Sequence, residues 1–183
     1  MRVYLDNNLF SYLLALAIGK QLDQFIDREA RSTRELLARP ELEVLCSDES
    51  LAEMECIKDP AKRQRLQSLY ATVKSGNAAL RNAAVRWDDR VTRWDSPDAN
   101  WDHPHTDADR KRIESFLKRK GIPVNEFDVR YLANAALDEN KIDIFLTADK
   151  KTIWNFRHEF LKDFGIRVAL PSELLAEIES QNN

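Results

Sequence analysis

The chain has 183 residues, enough for one compact domain with a sizeable core and barely enough for two. Its 28 Lys and Arg against 31 Asp and Glu leave a net charge of −3, which excludes a global positive field, so any contact with nucleic acid has to be local. Two cysteines exclude a disulfide framework and no apolar run approaches the ~20 residues that span a bilayer; the expectation is a single cytoplasmic domain over residues 1–183 without membrane contact.

The first predicted element is a short apolar strand, Val3-Tyr4-Leu5, closed by Asp6, Asn7 and Asn8. An α/β fold places chemistry at the carboxyl ends of its strands, where such an acid would sit. Asp and Asn in this position also serve as plain helix caps and turn residues. Leu9 to Ile18 and Gln21 to Ala38 carry the apolar spacing of two helices, with Gly19 and Lys20 at their junction and Pro40 beyond the second. Leu42 to Ser47 reads as a second strand and Ser50 opens a helix. Asp59-Pro60 interrupts this helix before a long helical run from Ala61 to about Trp94, part of an extended helical middle segment at about 61–120. Pro97 and Pro104 mark an irregular loop, and a charged helix from Asp107 to Arg119 ends at Gly121-Ile122-Pro123. Asn125 and Asp128 are spaced as a capping pair for a helix reaching about Asn140. Ile142 to Thr147 is the third strand, Thr152 to Asp163 a helix and Arg167 to Leu170 a fourth strand. Pro171-Ser172-Glu173 then opens a last amphipathic helix. Only four glycines fit a helix-rich chain. Strands alternating with helices imply an α/β fold with a mostly parallel sheet of four to five strands, covered on both faces.

Four carboxylates fall where that architecture gathers side chains: Asp6 after the first strand, Glu53 on the helix after the second, Asp128 at a helix start and Asp149 just past the third strand. Leu132, Ala135 and Ala136 follow Asp128 at four, seven and eight residues, which puts the acid on the inward stripe, where a carboxylate needs a partner. Its plainer role is a first-turn acid favouring the helix dipole by up to about 1 kcal/mol. Glu53 has rivals in Asp48, Glu49 and Glu55, Glu49 sharing its face, and a solvated helix charge is its plainer reading. Thr147 and Asp149 share one side of the strand if its geometry persists.

Leu5-Asp6-Asn7-Asn8, Ser47 with Leu51-Ala52-Glu53, Asp128 with Tyr131-Leu132-Ala133-Asn134-Ala135, and Phe145-Leu146-Thr147-Ala148-Asp149 resemble, in order, the motifs of the PIN-domain family. Leu170-Pro171-Ser172-Glu173 is similar to its closing strand-to-helix element, so the resemblance covers nearly the whole chain. It implies a three-layer α/β/α sandwich around a parallel sheet, and an endoribonuclease hydrolysing RNA phosphodiester bonds through an acidic Mg²⁺ or Mn²⁺ site. By motif match Asp6, Glu53, Asp128 and Asp149 are the metal-binding acids, with Asn8 and Thr147 as polar supports. Hard cations prefer such oxygen donors. Toxin-like and stand-alone members both fall within the resemblance, so the implied partners are RNA, an antitoxin or other protein, or a second copy of the chain. The stretch between Glu53 and Asp128 is longer than in small toxin-like members. The alternative is a non-catalytic RNA- or protein-binding module on the same fold.

In the middle segment Trp87, Trp94 and Trp101 recur at seven-residue spacing, each followed by an acid. Arg86, Arg90 and Arg93 share a helical face with Trp87 and Trp94, a pattern that grips single-stranded RNA by charge and stacking. The same pattern serves tryptophan packing beside a solvated charged face. His103-Pro104-His105 lacks the matching Cys or His pair of a zinc site, and no glycine-rich phosphate loop is present.

Overall fold

The computed structural model describes residues 1–74 and 105–181. Arg86, Trp87, Arg90, Arg93 and Trp94 lie outside the described residues, as does most of the helical run read beyond Lys74. Four strands, β1 (Arg2–Leu5), β2 (Glu43–Leu45), β3 (Ile144–Leu146) and β4 (Val168–Ala169), form one sheet in the order β2-β1-β3-β4, every pairing parallel. The earliest strand is therefore central. Val3 is in register with Val44 on one side and Ile144 on the other, and Leu5 with Leu146. Near-continuous apolar strands are what a sheet buried on both faces requires.

Helices α1 (Asn7–Ala17), α2 (Gln24–Leu37), α3 (Glu49–Glu55), α4 (Pro60–Lys74), α5 (His105–Arg119), α6 (Glu126–Ala136), α7 (Arg157–Phe164) and α8 (Pro171–Gln181) cover it. Strand alternation sorts the core into two halves. Tyr4, Leu45, Phe145 and Val168 pack with Ile113, Phe116, Leu132 and Phe160, so α5, α6 and α7 cover that face. Val3, Leu5, Val44, Ile144 and Leu146 pack with Leu9, Phe10, Leu36, Leu66, Tyr70, Leu174 and Ile178, so α1, α2, α4 and α8 cover the other. The result is the three-layer α/β/α sandwich expected.

Several element boundaries differ from the expectation, each for a local reason. The helix carrying Asp128 stops at Ala136, not near Asn140, because Leu137 is extended at ψ 115° and the chain continues as a 3₁₀ turn over Asp138–Asn140. Buried Asn140 donates through Nδ2 to the Asn134 carbonyl at 2.8 Å and fixes that break. The helix expected from Thr152 begins at Arg157, because the Asp149 carboxylate accepts from the backbone N–H groups of Lys151 (2.9 Å) and Thr152 (3.0 Å) and holds a turn there. Glu29, fully buried on α2, accepts from the Ser172 N–H (2.9 Å) and hydroxyl (2.8 Å) and so caps α8 from across the layer. Gly121, at φ +68°, ends α5 in the left-handed conformation and turns the chain toward α6. Among the described residues no helix is long and apolar enough to cross a membrane.

Candidate active site at the carboxyl edge of the sheet

β1 ends at Leu5, and the Asp6 N–H still pairs with the Leu146 carbonyl at 2.9 Å, which places the Asp6 side chain at the edge of the central strand. Asp6 is 4% exposed. Its Oδ2 accepts from Asn8 Nδ2 (2.6 Å) and from the Thr147 hydroxyl (2.6 Å). Asn8 also reaches Thr147 Oγ1 at 3.2 Å, and Thr147 Oγ1 accepts from the Asp149 N–H at 2.9 Å. Asp6, Asn8, Thr147 and Asp149 thus form one hydrogen-bonded corner where β1 and β3 end side by side. The two polar supports named from the motifs are in contact with the first acid.

Glu53 arrives from α3 and Asp128 from the first turn of α6. Burial first, then the charges of Asp128 and Glu53, push the Asp6 carboxyl up to about 7 against the pull of the Thr147 hydrogen bond. Burial, Glu53 and Asp149 likewise push Asp128 up to about 7. Burial raises Glu53, while hydrogen bonds from Tyr131 and Asn7 lower it. The Tyr131 hydroxyl donates to Glu53 Oε2 at 2.9 Å. The four acids therefore feel one another at a single edge of the sheet.

The rivals of Glu53 have other employment. Asp48 pairs with Lys74 Nζ at 2.6 Å. Glu49 forms a buried ion pair with Arg130 at 3.1 Å, the side chains being 5% and 8% exposed. Glu55 faces solvent. Two further contributors went unassigned from sequence. Tyr131 lies one turn beyond Asp128 and holds Glu53, and buried Asn7 has an Oδ1 with no hydrogen-bond partner beside the acids. Tyr4 donates or accepts at Ser47 Oγ (2.6 Å) and Tyr70 donates to the Ser47 carbonyl (2.9 Å), pinning the corner from which α3 departs.

The donor set is wholly oxygen, and a buried amide oxygen without a partner adds to it, a chemistry that fits Mg²⁺ or Mn²⁺. Among the described residues, however, no three His, Cys, Asp or Glu side chains are already gathered closely enough to form a finished metal cluster. Arg86, Arg90, Arg93, Trp87 and Trp94 lie outside the described residues.

No protein-family profile matches the chain, and no curated protein is similar to it. Among solved structures it is similar to a chain of VapBC2 from Rickettsia felis bound to a DNA fragment from its promoter. The TM-score is 0.52 at 13% identity, over 92% of this chain and 98% of that one. FitAcB from Neisseria gonorrhoeae aligns at a TM-score of 0.48 and 16% identity, over 92% and 97% of the two chains. At such identities the likeness is one of fold, a helix-rich PIN-like α/β architecture around a parallel sheet.

Proposed function

We propose that this chain is a metal-dependent endoribonuclease that hydrolyses RNA phosphodiester bonds at the acidic corner. Asp6, Glu53, Asp128 and Asp149 would hold Mg²⁺ or Mn²⁺, with Asn8 and Thr147 fixing Asp6. One observation carries the reading: Asp6 and Asp128 are both pushed up to about 7 at the edge of the sheet, and neither forms an ion pair among the described residues. Acids buried beside one another, with no cation among the described residues to offset their charge, are arranged for an external cation.

Asn8 and Thr147 both donate to Asp6 Oδ2 and so fix the orientation of that carboxylate. Tyr131 orients Glu53 from the same helix that carries Asp128, so the two acids are set relative to each other by one rigid element. When bound, such an ion supplies charge stabilisation at the scissile phosphate and activation of the attacking water. No histidine base is needed.

The likeness to a chain of VapBC2 supports adding a protein partner of the antitoxin kind to the same proposal. A second reading, an RNA- or protein-binding module without cleavage, is favoured by the absence, among the described residues, of a finished three-ligand group. A single-turnover assay on RNA and single-stranded DNA, with Mg²⁺, Mn²⁺ or excess chelator, decides between them. The expected result is metal-dependent RNA cleavage, lost in Asp128→Asn by more than the about 10–100-fold typical of outer-shell changes. Cleavage by Asp128→Asn at the parent rate would remove the assignment, and RNA retained uncut under every metal condition would establish the binding module.

A further inference from the structure

The outer surface of the α5 and α7 pair carries an open groove of about 630 Å³ whose charge is opposite to that of the chain. Lys111, Arg112 and Arg119 from α5 and Lys162 from α7 line it, against a single acid, Asp163. All five are exposed. The neighbouring acids are engaged elsewhere: Glu114 with Lys118 at 2.6 Å and Glu159 with Lys120 at 3.1 Å. Arg119 and Lys162 form no ion pair among the described residues, so the groove keeps a local positive excess on a chain of net charge −3.

The groove is also partly preorganised. The Arg112 guanidinium donates to Asp109 (3.1 Å) and to the Asp163 carbonyl (3.2 Å), and lies 5.4 Å from the centre of the Phe164 ring. Lys111, Ser115 and Arg119 follow at four-residue intervals, one donor per ~6 Å along a single edge of α5. A row of evenly spaced donors suits a polymer of evenly spaced anions better than it suits one small anion.

From this geometry we infer that the α5–α7 groove is a holding site for the phosphodiester backbone of a nucleic-acid strand, separate from the acidic corner. The inference takes from the proposed function only the class of ligand. An acidic protein segment is the competing occupant, and the test separates the two.

The experiment uses the full chain with excess chelator, so that binding is read without cleavage, and labelled single-stranded RNA of about 6 and about 20 nucleotides. Arg119→Ala combined with Lys162→Ala, at two exposed positions outside the core, should weaken binding of the longer strand at least about tenfold. The slope of log affinity against log salt should fall by about 1.4, two phosphate contacts at ~0.7 each. The shorter strand, able to occupy only one site, should show a smaller loss. Lys118→Ala, already paired and outside the groove, should change neither. Unchanged affinity and slope for the longer strand overturn the inference, as does displacement of that strand by polyglutamate as readily as by unlabelled RNA. Circular dichroism and melting of the double variant matching the parent exclude misfolding as the cause of a loss. If the parent never cuts RNA but the double variant loses affinity, the groove stands and the nuclease reading fails. If the parent cuts and the double variant binds and cuts like it, the groove fails alone.

Discussion

Asp6 and Asp128 make the acidic corner a source of instability that depends on pH. Both carboxyls are pushed up to about 7 in the folded chain, whereas an unfolded chain titrates them near 4. Below about pH 4 both states hold these protons and the contribution is complete; between about 4 and 7 the folded state keeps protons that the unfolded state releases. Stability from these groups therefore falls as pH rises through that window and is lost above about 7. Unfolding free energies from urea titrations in chelator should fall by the order of 2 kcal/mol per group between about pH 5.5 and 7.5, with the midpoint moving down accordingly, and Asp6→Asn should flatten the dependence. A midpoint independent of pH across the window would mean the two acids are not buried together. The position of Asp128 on an inward stripe was legible in sequence, since Leu132 and Ala135 repeat at helical spacing. The choice between Glu53 and Glu49 was not, because both lie on one face of α3 and the deciding partner, Arg130, is 81 residues from Glu49.

Helices α3 and α6 are clamped at three points along one line. Arg130 pairs with Glu49, and the Tyr131 hydroxyl reaches Glu53 and, at 3.4 Å, Ser50. Removing one partner of a buried ion pair leaves the other charge uncompensated, so Arg130→Met alone should cost about 3–5 kcal/mol. Combining it with Glu49→Leu should restore most of the loss, because apolar packing replaces both charges without leaving either desolvated. A denaturant double-mutant cycle checks this, and a double variant whose cost equals the sum of the two single costs would show that the pair is not coupled. At this scale the sequence marked α1, α2, β2, β3 and α8 to within a few residues, because apolar period, proline and capping residues all point the same way there. It missed the end of α6 and the start of α7 for one shared reason. Side chains of Asn140 and Asp149 bind backbone groups and substitute for helical hydrogen bonds, and such competition is invisible to periodicity.

Across the whole molecule, the acidic corner joins four elements that are distant in sequence, so a cation held there would oppose unfolding of the entire domain. At a free Mn²⁺ concentration a hundredfold above its dissociation constant the gain is about 2.7 kcal/mol. At about 2–4 °C per kcal/mol for a chain of this size, the melting temperature should rise by roughly 5–10 °C. Asp6→Asn should remove most of that rise, and a parent melting curve indifferent to millimolar Mn²⁺ would count against an assembled site. The central place of β1 in the sheet has a further consequence, in time rather than in space. Asp6 leaves the ribosome early, yet the Thr147 hydroxyl that holds it is encoded 141 residues later. At about 5–20 residues per second, roughly 7–28 s of synthesis separate the two. Throughout that interval β1 lacks β3 as a neighbour and Asp6 lacks its support. If the corner cuts RNA, the growing chain carries no assembled site while most of its own message is still being read.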